Sequence, residues 1–228
     1  MIRVGLPVAP GNYRTDVLDP GTAFLRIVPR PKGDDWRGRN YWSAIHDYLH
    51  NELSGICAYC ASFTPRRKSI GMVDNSSVDH YIPKSLFPHT QAYDWNNFRL
   101  ARAALNHRKG DFRDVMDPCA VTNGWFRLNF TTFAIEPDAS LSEPLRKKVA
   151  DTVIRLQLNL DDDYVNERAR AVYRYSDGKL SFGQLSRLYP FIASEMTARN
   201  FDSILLPTFR GHLSNPRLRA ALIRQGWT

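Results

Sequence analysis

The chain has 228 residues, 43% hydrophobic and 12% aromatic, and a formal net charge of +8 from 31 Lys and Arg against 23 Asp and Glu. That balance supports a packed core and excludes global disorder, and no window approaches the ~18 apolar residues of a membrane span. Cys57, Cys60 and Cys119 are odd in number and make no disulfide framework. The positive charge points toward a polyanion, of which nucleic acid is the commonest in a cytoplasm. The first residues, MIRVGLPVAPGNYRTDVLDPG, lack the apolar region of a signal peptide, so the expected location is cytoplasmic.

In chain order, residues 1–39 are rich in Pro, Gly and charge and read as an extended arm, with basic points at Arg30, Lys32, Arg37 and Arg39. From Asn40 the pattern changes. Tyr41, Trp42, Ile45, Tyr48, Leu49 and Leu53 fall on one helical face, and Gly55 closes that helix. Residues 56–114 are dense in His, Asn, Cys and basic side chains. Within them SVDHYIPKS predicts a short strand ended by Pro83, NNFRLA a second strand and RAALNHRKG a helix ended by Gly110. The run WFRLNFTTFAI alternates as a strand or hairpin does. Beyond it, Leu145, Val149, Val153 and Leu156 make one helical stripe, and Tyr164, Val165, Arg168, Ala169 and Val172 another. A last helix starts at Pro216 with Asn215 as its cap.

Two strands backed by a helix would bring Asp79, His80, Asn97 and Asn106 to one point, and each type has a use there. A carboxylate such as Asp79 is a hard ligand for Mg²⁺, which keeps several waters and takes few protein groups. The amide oxygen of Asn106 is a neutral second ligand. The imidazole of His80 titrates near neutrality and can take a proton from an attacking water. Adjacent strand residues point to opposite faces, so Asp79 and His80 serve one ligand only if the strand ends there.

This constellation resembles the HNH endonuclease family and its ββα-metal motif over roughly Cys57 to Lys109. CAYC looks like the first knuckle, VDHYIPKS like the segment with the general base, NNFRLA like the middle Asn segment and LNHRKG like the terminal metal-binding helix. The resemblance implies His80 as general base, Asp79 and Asn106 as ligands of one Mg²⁺ or Mn²⁺, and Asn97 as the brace that orients His80. The implied fold is α+β: an N-terminal arm and helix over residues 1–54, a ββα-metal nuclease core over 55–115, and a strand or hairpin followed by a mostly α-helical subdomain over 116–228. The implied activity is cleavage of DNA phosphodiester bonds, with nicking as the default for one site. A wider similarity runs to HNH proteins found beside ATPases in Septu-type, retron-associated or Zorya-type anti-phage systems, which implies an ATPase partner.

Alternatives stay open at this point. Many HNH proteins carry a second Cys-x-x-Cys before the terminal helix residue, and here those places are Arg102 and Leu105. Cys57 and Cys60 alone cannot close a four-ligand zinc site. Structural Zn²⁺ is therefore possible but not favoured over two small core thiols. His107 rivals Asn106 for the terminal role, but Lys109 shares the face of Asn106. His46, His50, His89 and His212 read as surface or packing residues. Arg66, Arg67 and Lys68, and then Arg99, Arg102, Arg108, Lys109 and Arg113, are expected to supply phosphate contacts; the bland reading is a solvated face. The competing functions are a catalytically degenerate DNA-binding subunit and an RNA-cleaving HNH nuclease.

Overall fold

A computed structural model describes residues 1–66, 74–87, 89–160 and 162–228. The fold mixes helices with two small antiparallel sheets. None of the described helices is long and apolar enough to cross a membrane. The chain divides into two compact units. One contains residues 3–59 and 64–120, the other residues 1–2, 60–63 and 121–228. Residues 3–54 thus share a unit with the strands that carry the candidate site.

Residues 1–39 are not an extended arm. A π-helical turn at Arg14–Leu18 runs into α1 (Asp19–Ile27), where Pro20 occupies a first-turn position that needs no N–H donor. Val17, Gly21 and Phe24 form its buried stripe. Gly21 is required by close approach, because an added Cβ would lie 2.2 Å from Cγ of Tyr93. Other anchors hold the preceding backbone: Trp95 donates its indole N–H to the carbonyl of Pro7 at 2.8 Å, and the Tyr13 hydroxyl donates to the carbonyl of Tyr93 at 2.5 Å. These contacts join apolar groups of Val17, Phe24, Ile45, Leu49, Tyr93, Phe98 and Leu100 in one core.

The expected helix after Asn40 begins as a 3₁₀ turn, Tyr41–Ile45, and continues as α2 (His46–Glu52). Ile45 and Leu49, four residues apart, are its fully buried pair. Gly55, at φ +70°, closes it by donating its N–H to the carbonyl of His50 at 2.7 Å.

β1 (Ser76–His80) pairs antiparallel with β2 (Phe98–Arg102), with Val78 opposite Leu100 and His80 opposite Phe98. Every residue of β2 is buried, so it is the inner strand. The chain then turns into α3 (Ala103–Lys109), whose opening residues Ala103, Ala104 and Leu105 are strong helix formers. Its first turn is capped from upstream: the Asp74 carboxylate accepts from the N–H of Ala104, and Asn75 accepts from Ala103 at 2.8 Å. Gly110, at φ +49°, ends it.

In the second unit β3 (Phe126–Leu128) pairs with β4 (Ile135–Pro137); β3 lies inside the stretch WFRLNFTTFAI read as a strand or hairpin, and β4 starts at its last residue. Helices α4 (Glu143–Arg155), α5 (Asp162–Ser176), α6 (Phe182–Leu188), α7 (Pro190–Ala198), α8 (Phe201–Ile204), α9 (Leu206–Ser214) and α10 (Pro216–Arg224) follow. The Asn215 side chain caps α10 by accepting from Arg217 and Leu218. Glu195 is 3% exposed, accepts the N–H of Leu128 at 3.0 Å, and pairs with Arg127 and Arg199. Its charge is thereby satisfied within the fold.

Candidate active site

Between the end of β1 and the later part of α3, a cleft of about 240 Å³ is lined by Trp42, Val78, Asp79, His80, Pro83, Lys84, Asn106, Gly110 and Asp111. Asp79, His80 and Asn106 are therefore brought together, and the strand-turn-helix order is the cause.

His80 is 8% exposed. Its Nε2 lies 2.9 Å from the carbonyl oxygen of Ala92. A carbonyl only accepts, so Nε2 carries the proton and Nδ1 keeps its lone pair. The ring packs edge-on against Trp42, centroids 4.5 Å apart, and against Phe98 at 5.3 Å. Burial holds its pKa down at about 4, helped by the positive charges of Lys84 and Lys109 and opposed by the Ala92 bond. At neutral pH the side chain is thus an uncharged imidazole of fixed tautomer.

Asn97 holds the backbone next to Ala92. Its Oδ1 accepts from the N–H of Ile82 at 2.7 Å, and its Nδ2 donates to the carbonyls of Ile82 and Gln91 at 2.8 and 2.9 Å. One amide thus ties both ends of the connection between β1 and β2. Asn96 lies outside this bracing set: its N–H and Nδ2 donate to Asp94.

Asn106 is half-buried, and His107 beside it is exposed. The Asn106 Nδ2 donates across to β1, to Ser77 Oγ at 3.1 Å and more weakly to the Val78 carbonyl at 3.4 Å. Oδ1 is left without a protein partner among the described residues. Lys109, one turn later, meets the same strand: its Nζ donates to Asp79 Oδ1 at 3.1 Å and to the His80 carbonyl at 2.6 Å.

Asp79 is 2% exposed, and both its oxygens are engaged, Oδ1 by Lys109 and Oδ2 by the Tyr59 hydroxyl at 2.5 Å. Burial pushes its carboxyl above the ordinary range, and Lys109 and Tyr59 restrain that rise. The donor types suit a hard divalent cation, since a carboxylate has about four lone-pair positions and only two are used here, while the Asn106 oxygen is free. The ammonium of Lys109 opposes a second cation at that carboxylate. Among the described residues no group of three or more His, Cys, Asp or Glu is arranged to hold a metal.

The expected phosphate contacts need correction. Arg99 is 4% exposed and makes a two-pronged pair with Asp117 at 2.9 and 2.7 Å. Arg102 is 2% exposed and bonds Thr64 Oγ1 at 3.0 Å. Lys109 is fully buried. All three sit on or beside the inner strand, so their charge is engaged inside the fold rather than offered to a backbone phosphate. Arg66 is partly exposed and paired with Asp47, and Arg108 is half-buried. Arg67 and Lys68 lie outside the described residues. Cys57 is a buried thiol that accepts the N–H of Arg102 at 3.3 Å.

Sequence reasoning missed Tyr59, Trp42 and Lys84. Tyr59 lies between two cysteines that drew attention to themselves. Trp42 fits a core-facing helical stripe as well as it fits a cleft wall. Lys84 stands beside Pro83 in SVDHYIPKS, and that adjacency was its only signal. No protein-family model matches the chain, and no curated protein matches it.

Proposed function

We propose that the chain is an HNH-type, metal-dependent endonuclease that cleaves phosphodiester bonds in DNA. The observation that carries the reading is the His80 imidazole, neutral and held by the Ala92 carbonyl, on the wall of a cleft shared with Asp79 and Asn106. His80 Nδ1 takes a proton from the attacking water. Nε2–H stays on the Ala92 carbonyl and keeps the ring oriented, and Asn97 fixes the segment that carries that carbonyl. Asn106, anchored to β1 through its nitrogen, leaves its oxygen as one metal ligand, and Asp79 is the other. A Mg²⁺ or Mn²⁺ held by Asp79 and Asn106 would supply a Lewis acid for the charge on the phosphate and on the departing 3′ oxygen. The product carries a 5′ phosphate, and one site cuts one strand. The reading includes an anti-phage setting with an ATPase partner.

The test is incubation of the purified chain with supercoiled plasmid, single-stranded DNA and tRNA in Mg²⁺, Mn²⁺ or EDTA. Nicking of plasmid that EDTA and His80→Ala each abolish is expected. Preference for tRNA would move the substrate to RNA.

A second reading, a DNA-binding subunit with a degenerate nuclease scaffold, draws on the Asp79–Lys109 pair, which cancels the charge that a cation needs. A gel shift that survives EDTA, with no cutting under any ion, would favour it.

A further inference from the structure

Three of the cations expected to bind phosphate, Arg99, Arg102 and Lys109, are internal, while one that was not expected lies in the cleft itself. Lys84 is half-buried and lines the cleft beside His80 and Asn106. Its Nζ sits 4.6 Å from the ring centre of Trp42 and 5.3 Å from that of Trp36. Two indole faces hold the ammonium by its charge and the stem by packing, without neutralising it. No hydrogen bond or ion pair from Nζ occurs among the described residues. Asp111 lines the same cleft but stays beyond ion-pair distance.

The backbone of Lys84 is fixed as well. His89 Nδ1 donates to its carbonyl at 2.9 Å, and the preceding Pro83 carbonyl accepts the N–H of Leu86 at 3.0 Å. Trp42 touches both the His80 ring and the Lys84 ammonium. One indole thus sets the spacing between the candidate base and this cation. Lys109 is neutralised by Asp79, so among the described residues Lys84 is the cleft-lining cation with charge left to offer. At about 240 Å³ the cleft falls below the ~300–1,000 Å³ of a site that engulfs a drug-sized ligand, and suits one phosphodiester group with its water.

We infer that Lys84, held against Trp36 and Trp42, grips a nonbridging oxygen of the nucleic-acid phosphate presented to His80. This rests on the endonuclease reading for the nature of the anion. The contact draws its strength from charge and makes no base-specific contact, so it adds affinity and phosphate placement without sequence preference.

The experiment uses the full chain as wild type, Lys84→Met and Lys84→Arg, with a fluorescein-labelled DNA duplex. Anisotropy is measured in EDTA over a salt series, and cleavage is measured separately in Mg²⁺. Lys84→Met, which keeps the stem over the indoles, is expected to reduce the slope of log affinity against log salt by about 0.9, the signature of one lost phosphate contact. It is also expected to lower kcat on the order of 10²-fold, as removal of a charge-stabilising donor does. Lys84→Arg retains the slope, which separates lost charge from a disturbed fold. If Lys84→Met keeps both slope and turnover while His80→Ala abolishes cutting, the Lys84 contact is overturned and the endonuclease reading stands. A wild type that binds without cutting, with a slope reduced in Lys84→Met, overturns the endonuclease and leaves the contact supported. A wild type that neither binds nor cuts overturns both.

Discussion

Asp79 and Lys109, 30 residues apart in sequence, form an ion pair with Nζ 3.1 Å from Oδ1 and side chains only 2% and 1% exposed. The pair ties the end of β1 to the last turn of α3, and the Lys109 bond to the His80 carbonyl doubles the tie. Removing one partner of such a pair leaves an uncompensated buried charge and typically costs about 3–5 kcal/mol. Lys109→Met is therefore expected to lower stability by about that amount, and Asp79→Asn with Lys109→Met by less than the sum of the singles. Urea unfolding of the four proteins measures the coupling; strictly additive losses would contradict it. Because a divalent cation can replace the missing ammonium at Asp79, Mn²⁺ is expected to raise the melting temperature of Lys109→Met more than that of wild type.

His80 sets a pH dependence with a definite sign. Its folded pKa of about 4 lies below the ordinary 6.5, so the unfolded chain binds the proton first. Its contribution is fully present above pH 6.5 and is lost as pH falls toward 4, with a full size of about 3 kcal/mol. Asp79, pushed up by burial, titrates with the opposite sign. The His80 part is isolated as the difference between wild type and His80→Asn, which should shrink on acidification. In the cleavage assay the acid limb is expected near pH 4 rather than 6.5; a limb at 6.5 would mean that His80 is not the base.

Asn106 and His107 are neighbours on α3 with opposite surroundings. Asn106→Ala removes an oxygen from the cleft and a tether to β1, and should reduce nicking on the order of 10²-fold. His107→Ala alters an exposed side chain and should change stability by no more than about 0.5 kcal/mol. Plasmid nicking ranks the two directly, and the reverse order would remove Asn106 from the site.

Asn97→Ala leaves the N–H and carbonyl of Ile82 without their partner and leaves the Gln91 carbonyl only the Asp94 N–H at 3.3 Å. An unsatisfied buried group costs about 1–3 kcal/mol, and the Ile82 groups are part-buried, so a loss within that range is expected. The backbone amide of Ile82 should lose hydrogen-exchange protection before β2 does. Uniform loss across the unit would mean that Asn97 supports the core rather than the loop.

The local grammar of the site was legible. The runs SVDHYIPKS and NNFRLA, the first ended by Pro83, marked β1 and β2, Gly110 ended the helix RAALNHRKG, and their order placed Asp79, His80 and Asn106 within reach of one another. These features depend on nearest neighbours and on backbone φ, which a sequence carries directly. The first 39 residues were harder, because their anchors are the indole of Trp95 and the hydroxyls of Tyr48 and Tyr93, which bond to carbonyls along the segment and leave no periodic trace in it.

Charge was the quantity that sequence could not apportion. Net charge and clustering establish that Arg99, Arg102 and Lys109 exist near the site, but a cation's availability depends on which anion or carbonyl the tertiary structure brings to it. Asp117, Thr64 and Asp79 meet them inside the unit, while Lys84, unremarkable in its string, meets two indoles and keeps its charge. Residue types and spacing thus fixed the chemical repertoire of the cleft, and burial, which depends on distant parts of the chain, decided which of those groups remain free to act.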